Sequence, residues 1–125
     1  MTSTATASFV VDKWDPQATD EAAGTQFARV AIAKTFTGAI EGTSAVEMLT
    51  ASNETSRAYV GFERLAVSVD GRKGAFVLRH WADDTGMSLL ILAGSGSGEL
   101  AGISGTAEIT QDAEGNHTFV LSYEL

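Results

Sequence analysis

The 125-residue chain has no cysteine and one proline, Pro16. Without cysteine there is no disulfide, no thiolate nucleophile and no Cys-ligated zinc, and a cytoplasmic location is expected. No apolar run approaches the roughly 18 residues that a membrane-spanning helix needs. The opening MTSTATASFVVDKW lacks the basic start and apolar core of a signal peptide. Basic residues are scarce: 8 Lys and Arg stand against 16 Asp and Glu, for a net charge of −8. The last of them is Arg79, so the chain from His80 onward carries acids and no Lys or Arg. Such a charge repels nucleic acid and anionic lipid, and neither is expected as a partner.

What is present is an alternation of period two. SFVVDKW, FARVAIAKTF, AIEGTSAVEML, RAYVGFERLAVSV, KGAFVLRHWA, MSLLILAG, GTAEITQ and HTFVLSYEL read as eight strands. Between them lie DPQATDEAAGT, TG, SNET, DG, DDTG, a glycine-rich stretch and DAEGN, all rich in turn formers. No segment forms a convincing amphipathic helix; TDEAAGTQ could hold one turn at most. Pro16 falls in the first connection, outside any strand. The expectation is one all-β domain over residues 1–125. Short links favour an eight-stranded antiparallel up-and-down barrel, with a sandwich as the alternative. An eight-stranded barrel is filled by side chains or holds one small ligand.

The glycine-rich GSGSGELAGISGTAEI, residues 94–109, raises the question of phosphate binding. A phosphate loop needs N–H groups aimed by a helix N-terminus, usually with a lysine. Here a strand follows and no basic residue lies downstream. The glycines instead suit a tight cross-over in which Leu100 and Ile103 plug one end of the barrel. The same segment resembles the glycine motif of allene oxide cyclases and dirigent proteins, which implies an eight-stranded, calycin-like barrel. A closer resemblance is to the domain of unknown function 3224 family of small bacterial proteins. It rests on Trp14 ending the first strand, KTFTGAIEGTSAVEML, AYVGFERL, GAFVLRHW, GSGSGELAGISG and the terminal LSYEL, with Ser97 where a threonine is common. It covers nearly the whole chain and implies a fold. It carries no catalytic residues across.

Candidate chemistry therefore comes from parity. Whether the turn at Asp70-Gly71 has two residues or four, Tyr59, Gly61, Glu63, Leu65 and Val67 share a face with Phe76, Leu78 and His80. The opposite face holds Val60, Phe62, Arg64, Val77, Arg79 and Trp81. Two arginines fit poorly inside a narrow barrel, so the first face is expected to point inward. Glu63 and His80 would then be opposite or diagonal neighbours, a candidate acid–base pair or a pair that simply ties two strands together. Tyr59, Phe76 and Leu78 are candidate ligand contacts, as is Tyr123, near the end of the last strand. Glu47 joins them only if the Ser52–Thr55 turn sets its face inward. Lys34 is expected in a rim salt bridge with Glu41 or Glu47. Trp14 and Trp81 read as packing groups and His117 as a turn residue. Two distant histidines make no zinc site, Gly94–Gly98 has glycine where a nucleophile elbow needs serine, and no dinucleotide fingerprint occurs. No cofactor or metal is expected.

The functional expectation is a barrel that takes a small, mostly apolar or amphipathic molecule in its lumen. It could act as a cofactor-free isomerase or cyclase. The alternatives are a carrier without turnover and a structural oligomeric barrel. The apolar outward face implies a cover, either the long first loop or a second subunit, and a homo-oligomer, most simply a dimer, is expected.

Overall fold

The computed structural model describes residues 2–125. Nine strands run β1 Ser3–Ala22, β2 Thr25–Gly38, β3 Ile40–Ser52, β4 Arg57–Val69, β5 Arg72–Asp83, β6 Gly86–Ile91, β7 Ser97–Gly98, β8 Ser104–Gln111 and β9 His117–Glu124. Among the described residues there is no helix, so none is long and apolar enough to cross a membrane. All pairings are antiparallel. The order β4-β3-β2-β1-β9-β8-β6-β5, closed by β4 against β5, makes a barrel without a free sheet edge at its waist. The two-residue β7 pairs with β5 on the same side and in the same direction as β6. The pair is thus one wall strand, interrupted at residues 92–96, and the barrel has eight strands.

Alternation decides which residues fill it. Reading across β5, β4, β3 and β2, the inward side chains form layers. Phe76, Leu65, Ser44 and Lys34 make one layer. Leu78, Glu63, Val46 and Ile32 make the next. His80, Gly61, Met48 and Val30 lie above, and Ala82, Tyr59, Thr50 and Ala28 above those. Below, towards the β4–β5 turn, the core is wholly apolar and tight: Phe36, Ile40, Val69, Phe119 and Leu121 are all essentially inaccessible.

That lower end is sealed by the glycine-rich segment. Leu100 and Ile103 are buried in the main core. Leu92 N still donates to Val77 O at 2.9 Å, residues 93–96 leave the β5 ladder, and the Ser95 hydroxyl replaces the lost partner. It accepts from Val77 N at 3.0 Å and donates to Leu92 O at 2.6 Å. The backbone N–H groups of Ser95, Glu99, Leu100, Ala101 and Ile103 all bond carbonyls of the chain itself. These five donors are therefore not free for a phosphate. Gly96 serves close approach, since a Cβ there would stand 2.1 Å from Leu100 O.

The first connection departs from expectation. DPQATDEA is strand, and β1 continues through it to a tight turn at Ala23-Gly24. Pro16 is accommodated because β1 pairs with β9 only as far as Phe9. Beyond that point one edge of β1 is free, and the ladder with β2 is bulged between Val11 and Lys13 and between Pro16 and Ala18. A proline tolerates such an edge at a bulge. The first bulge also keeps Trp14 on the lumen side, opposite Ile32. The hairpin rises above the barrel, and Val60, Phe62 and Trp81 on the outer face remain exposed.

Replacing Gly96 with alanine should lower stability by about 1–3 kcal/mol, the scale of overpacking. Urea unfolding against the wild type measures it, and an unchanged midpoint would mean that residues 94–103 relax without cost.

Candidate functional site

The β4–β5 turn is a two-residue one, with Asp70 at φ 49° and Gly71 at φ 86°, the paired positive values of a type I′ hairpin. It sets Glu63 opposite Leu78 and Gly61 opposite His80. Glu63 and His80 are thus diagonal neighbours, both inward and both buried. His80 Nε2 lies 3.3 Å from Glu63 Oε1. The approach is electrostatic: Nε2 has no aligned hydrogen-bond partner, alone among the buried side-chain nitrogens and oxygens of the described residues. Its other ring nitrogen, Nδ1, is 3.2 Å from the Tyr59 hydroxyl.

Two residues outside the expected pair complete the cluster. Lys34, expected at the rim, is 6% exposed and its Nζ lies 3.3 Å from Glu63 Oε1. It cannot reach the rim because β2 alternation puts it inside with Ile32 and Phe36. The ammonium also sits 4.4 Å from the centre of the Phe9 ring. Ser44, directly opposite Lys34 on β3, donates to Glu63 Oε2 at 2.6 Å. Four consecutive strands therefore meet at one carboxylate.

Burial alone would raise the Glu63 pKa. The contacts from His80, Lys34 and Ser44 outweigh that effect and hold it below its ordinary value of 4.5. Glu63 is an anion in this setting, able only to accept. A neutral His80 then carries its hydrogen on Nε2, facing the carboxylate, and Nδ1 accepts from Tyr59. Half-burial, and then the Glu63 charge, push the Tyr59 phenol above its ordinary value of 10.0, so it stays protonated and can donate.

Above this cluster the lumen opens into a cavity of about 630 Å³. Ile32, Val46, Met48 and Ile109 supply apolar wall, and Trp14 stands at the side. Lys34, Tyr59 and His80 border it, while Arg57, Asp83 and Asp84 lie at the mouth. Glu63 is beneath the floor, fully buried. His117, read from sequence as a turn residue, stacks on Phe9 with ring centres 4.7 Å apart and lines the cavity. Its place on the inward face of β9, in step with Phe119 and Leu121, was the signal available.

The other expected contacts lie elsewhere. Phe76 and Leu78 belong to the packed core, level with Lys34 and Glu63, and do not line the cavity. Tyr123 is at the sealed end, where its hydroxyl donates to Asp70. Glu47 is on the outer surface with its side chain 80% exposed, near Arg64. Val46 and Met48 take the inward positions on either side, so a lumen role for Glu47 is excluded. Among the described residues no group of three or more His, Cys, Asp and Glu side chains is placed to hold a metal ion.

The profile of one family, described as protein of unknown function (DUF3224), matches residues 5–123. The chain belongs to the DUF3224 family. A crystal structure of a DUF3224 protein of unknown function from Shewanella oneidensis MR-1 superposes with a TM-score of 0.91 at 32% identity. The match covers 100% of this chain and 98% of that one. No curated protein matches the chain. Family membership accounts for the barrel and leaves the chemistry of this DUF3224 lumen to be argued from its own residues.

Replacing Glu63 with glutamine keeps the shape but strands the buried Lys34 charge, and should cost about 3–5 kcal/mol at neutral pH. Because the folded pKa is depressed, the carboxylate contributes fully above about pH 4.5 and its contribution drains away as pH falls through the lower folded value. The stability gap between wild type and variant should therefore narrow in acid, as denaturant titrations from pH 7 to pH 3 would show. A gap that widened in acid would contradict the assignment.

Proposed function

We propose that the barrel is a receptor for a small, mostly apolar molecule held in its lumen. The observation that carries this reading is the open cavity with apolar walls and a polar floor. Its volume falls within the roughly 300–1,000 Å³ usual for ligand sites. A purely structural barrel of eight strands can fill its interior with side chains, as the lower half here does. The upper half does not, and small residues at Gly61 and Ala82 leave the space. The net charge and the acids at the mouth favour a neutral guest over an anionic one. The Glu63–His80 pair supports an acid–base role towards that guest, since one face of the imidazole is backed by a carboxylate and the other reaches the cavity through Tyr59.

An uncharged, environment-sensitive apolar dye such as N-phenylnaphthylamine should bind with saturation and near one equivalent. Thr50→Trp, which fills the cavity from its wall, should weaken that binding at least tenfold without lowering the melting temperature by more than a few degrees. Unsaturable binding, or binding indifferent to Thr50→Trp, would remove the lumen as the site.

The partner proposed for the outer face is a second copy of the chain. Leu49, Val60 and Trp81 form one cross-strand row there, all exposed, and Glu47, Phe62 and Arg79 form the next. A two-fold axis along β4 lays Phe62 on its own copy and sets Glu47 opposite the partner's Arg79, which makes the row self-complementary. Sedimentation at high micromolar concentration should find a dimer that Phe62→Glu splits. A monomeric wild type would dismiss the interface.

A further inference from the structure

The contacts at the cavity floor are ordered in one direction. Glu63 faces His80 Nε2, His80 Nδ1 faces the Tyr59 hydroxyl, and Tyr59 faces the cavity. Carboxylate, imidazole and hydroxyl are in series; the carboxylate is shut off from the cavity, and the hydroxyl ends the series beside it, with the imidazole edge also bordering the space. Resting on the reading of the lumen as a ligand site, we propose that Glu63, His80 and Tyr59 form a proton relay, and that the guest is a small molecule with an acidic hydroxyl, a phenol or an enol, whose proton the relay takes up.

The step balances without a co-reactant. The guest hydroxyl gives its proton to the Tyr59 oxygen as Tyr59 gives its own to His80 Nδ1. The guest becomes an anion and His80 a cation with hydrogens on both nitrogens. Nothing is oxidised or reduced, and the reverse step returns the proton. Tyr59 is unchanged at the end, which suits a phenol too weakly acidic to stay ionised itself.

The surrounding charges favour this transfer. Glu63 from β4 stands against the Nε2 side of the new imidazolium. Lys34 from β2 borders the cavity, where the new anion would lie. The resting floor holds one cation and one anion, Lys34 and Glu63. After transfer the guest anion, His80, Glu63 and Lys34 alternate in sign and the sum stays neutral. In a half-buried site such alternation counts for far more than it would in water. His117 from β9 and, at the mouth, Arg57, Asp83 and Asp84 are the remaining titratable or charged groups that border the space. The mouth carries two acids against one base, so an anion is not drawn in ready-made. Supplying a proton acceptor inside solves that problem, since the guest enters neutral and ionises at the floor.

The test uses 7-hydroxycoumarin, a compact phenol whose neutral and ionised forms absorb and fluoresce at different wavelengths. Bound to the wild type near neutral pH, its phenolate-to-phenol ratio should rise by about tenfold or more over that in buffer, one unit of apparent acidity. Tyr59→Phe, read with the probe saturated by protein so that any change in affinity drops out, should lose most of the rise, because the hydroxyl bridge is gone while Lys34 and the apolar walls remain. His80→Gln should behave likewise, which makes the test independent of whether Glu63→Gln folds. Saturable binding with no rise, or a rise that survives in Tyr59→Phe, would overturn the relay and leave the lumen a plain binding site. A rise without the relay would mean that the Lys34 charge alone ionises the guest. Absence of any saturable binding by the probe, with the apolar dye also excluded, would overturn the ligand-site reading and the relay with it.

Discussion

One buried carboxylate organises this barrel. Taking Glu63 out of water is costly, and the fold offsets the cost by converging an ammonium, a hydroxyl and an imidazole on it from β2, β3 and β5. Each of these groups can reach it only in one register. A slip of β2 or β3 by a single residue would turn Lys34 or Ser44 outward and leave the anion uncompensated. Apolar packing below the cluster tolerates exchange among similar side chains. The polar node does not, so it specifies strand alignment in a way that leucine and valine cannot.

The node also divides the interior. Beneath it the layers hold Phe36, Phe119, Leu100 and Ile103, packed to exclusion. Above it the inward positions shrink to Gly61, Ala82 and Ala28 or carry a polar atom, as in Tyr59 and Thr50. The two ends of the barrel are finished accordingly. At the lower end, tight turns and the glycine-rich segment bring backbone against backbone and press two apolar side chains into the opening. At the upper end, the β1–β2 hairpin runs on past the barrel and Trp14 stands beside the mouth. The glycine motif and the cavity are therefore at opposite poles, and the motif acts as a closure.

Much of this was legible from alternation. Strand number, the sealed end, the inward face of β4 and β5 and the meeting of Glu63 with His80 follow from parity across a hairpin whose turn is Asp-Gly. What parity could not show was depth. Phe76, Leu78 and Tyr123 share a face with His80 or its neighbours, yet the first two pack into the core at the level of the node and Tyr123 lies at the far end, and a face carries no mark of height. Lys34 was misplaced for a different reason. Its alternation with Ile32 and Phe36 puts it inside, where a lysine is rare and a rim salt bridge with Glu41 or Glu47 is the ordinary expectation. The β1 hairpin reads as a loop because DPQATDEAAGT is polar and holds the one proline, while a bulged strand with one free edge accepts that proline.

The position of the node bears on why it exists. A buried charge cluster kept only for strength would sit best where packing is densest, and apolar replacements often serve stability as well or better. Here it sits at the boundary between packed and open interior. Three of its members or neighbours, Lys34, His80 and Tyr59, are turned to the open side, and the carboxylate is hidden behind them. Hiding the anion has a chemical consequence: it polarises the imidazole without itself meeting a guest. An exposed carboxylate at the same place would repel an incoming anion and be weakened by solvent. Sunk one layer down, it acts through His80, and the polar surface presented to the cavity is a phenol, an imidazole edge and an ammonium. That separation of the charge from the group that contacts the lumen is difficult to explain by strand alignment, for which Glu63, Lys34 and Ser44 would suffice without His80 or Tyr59.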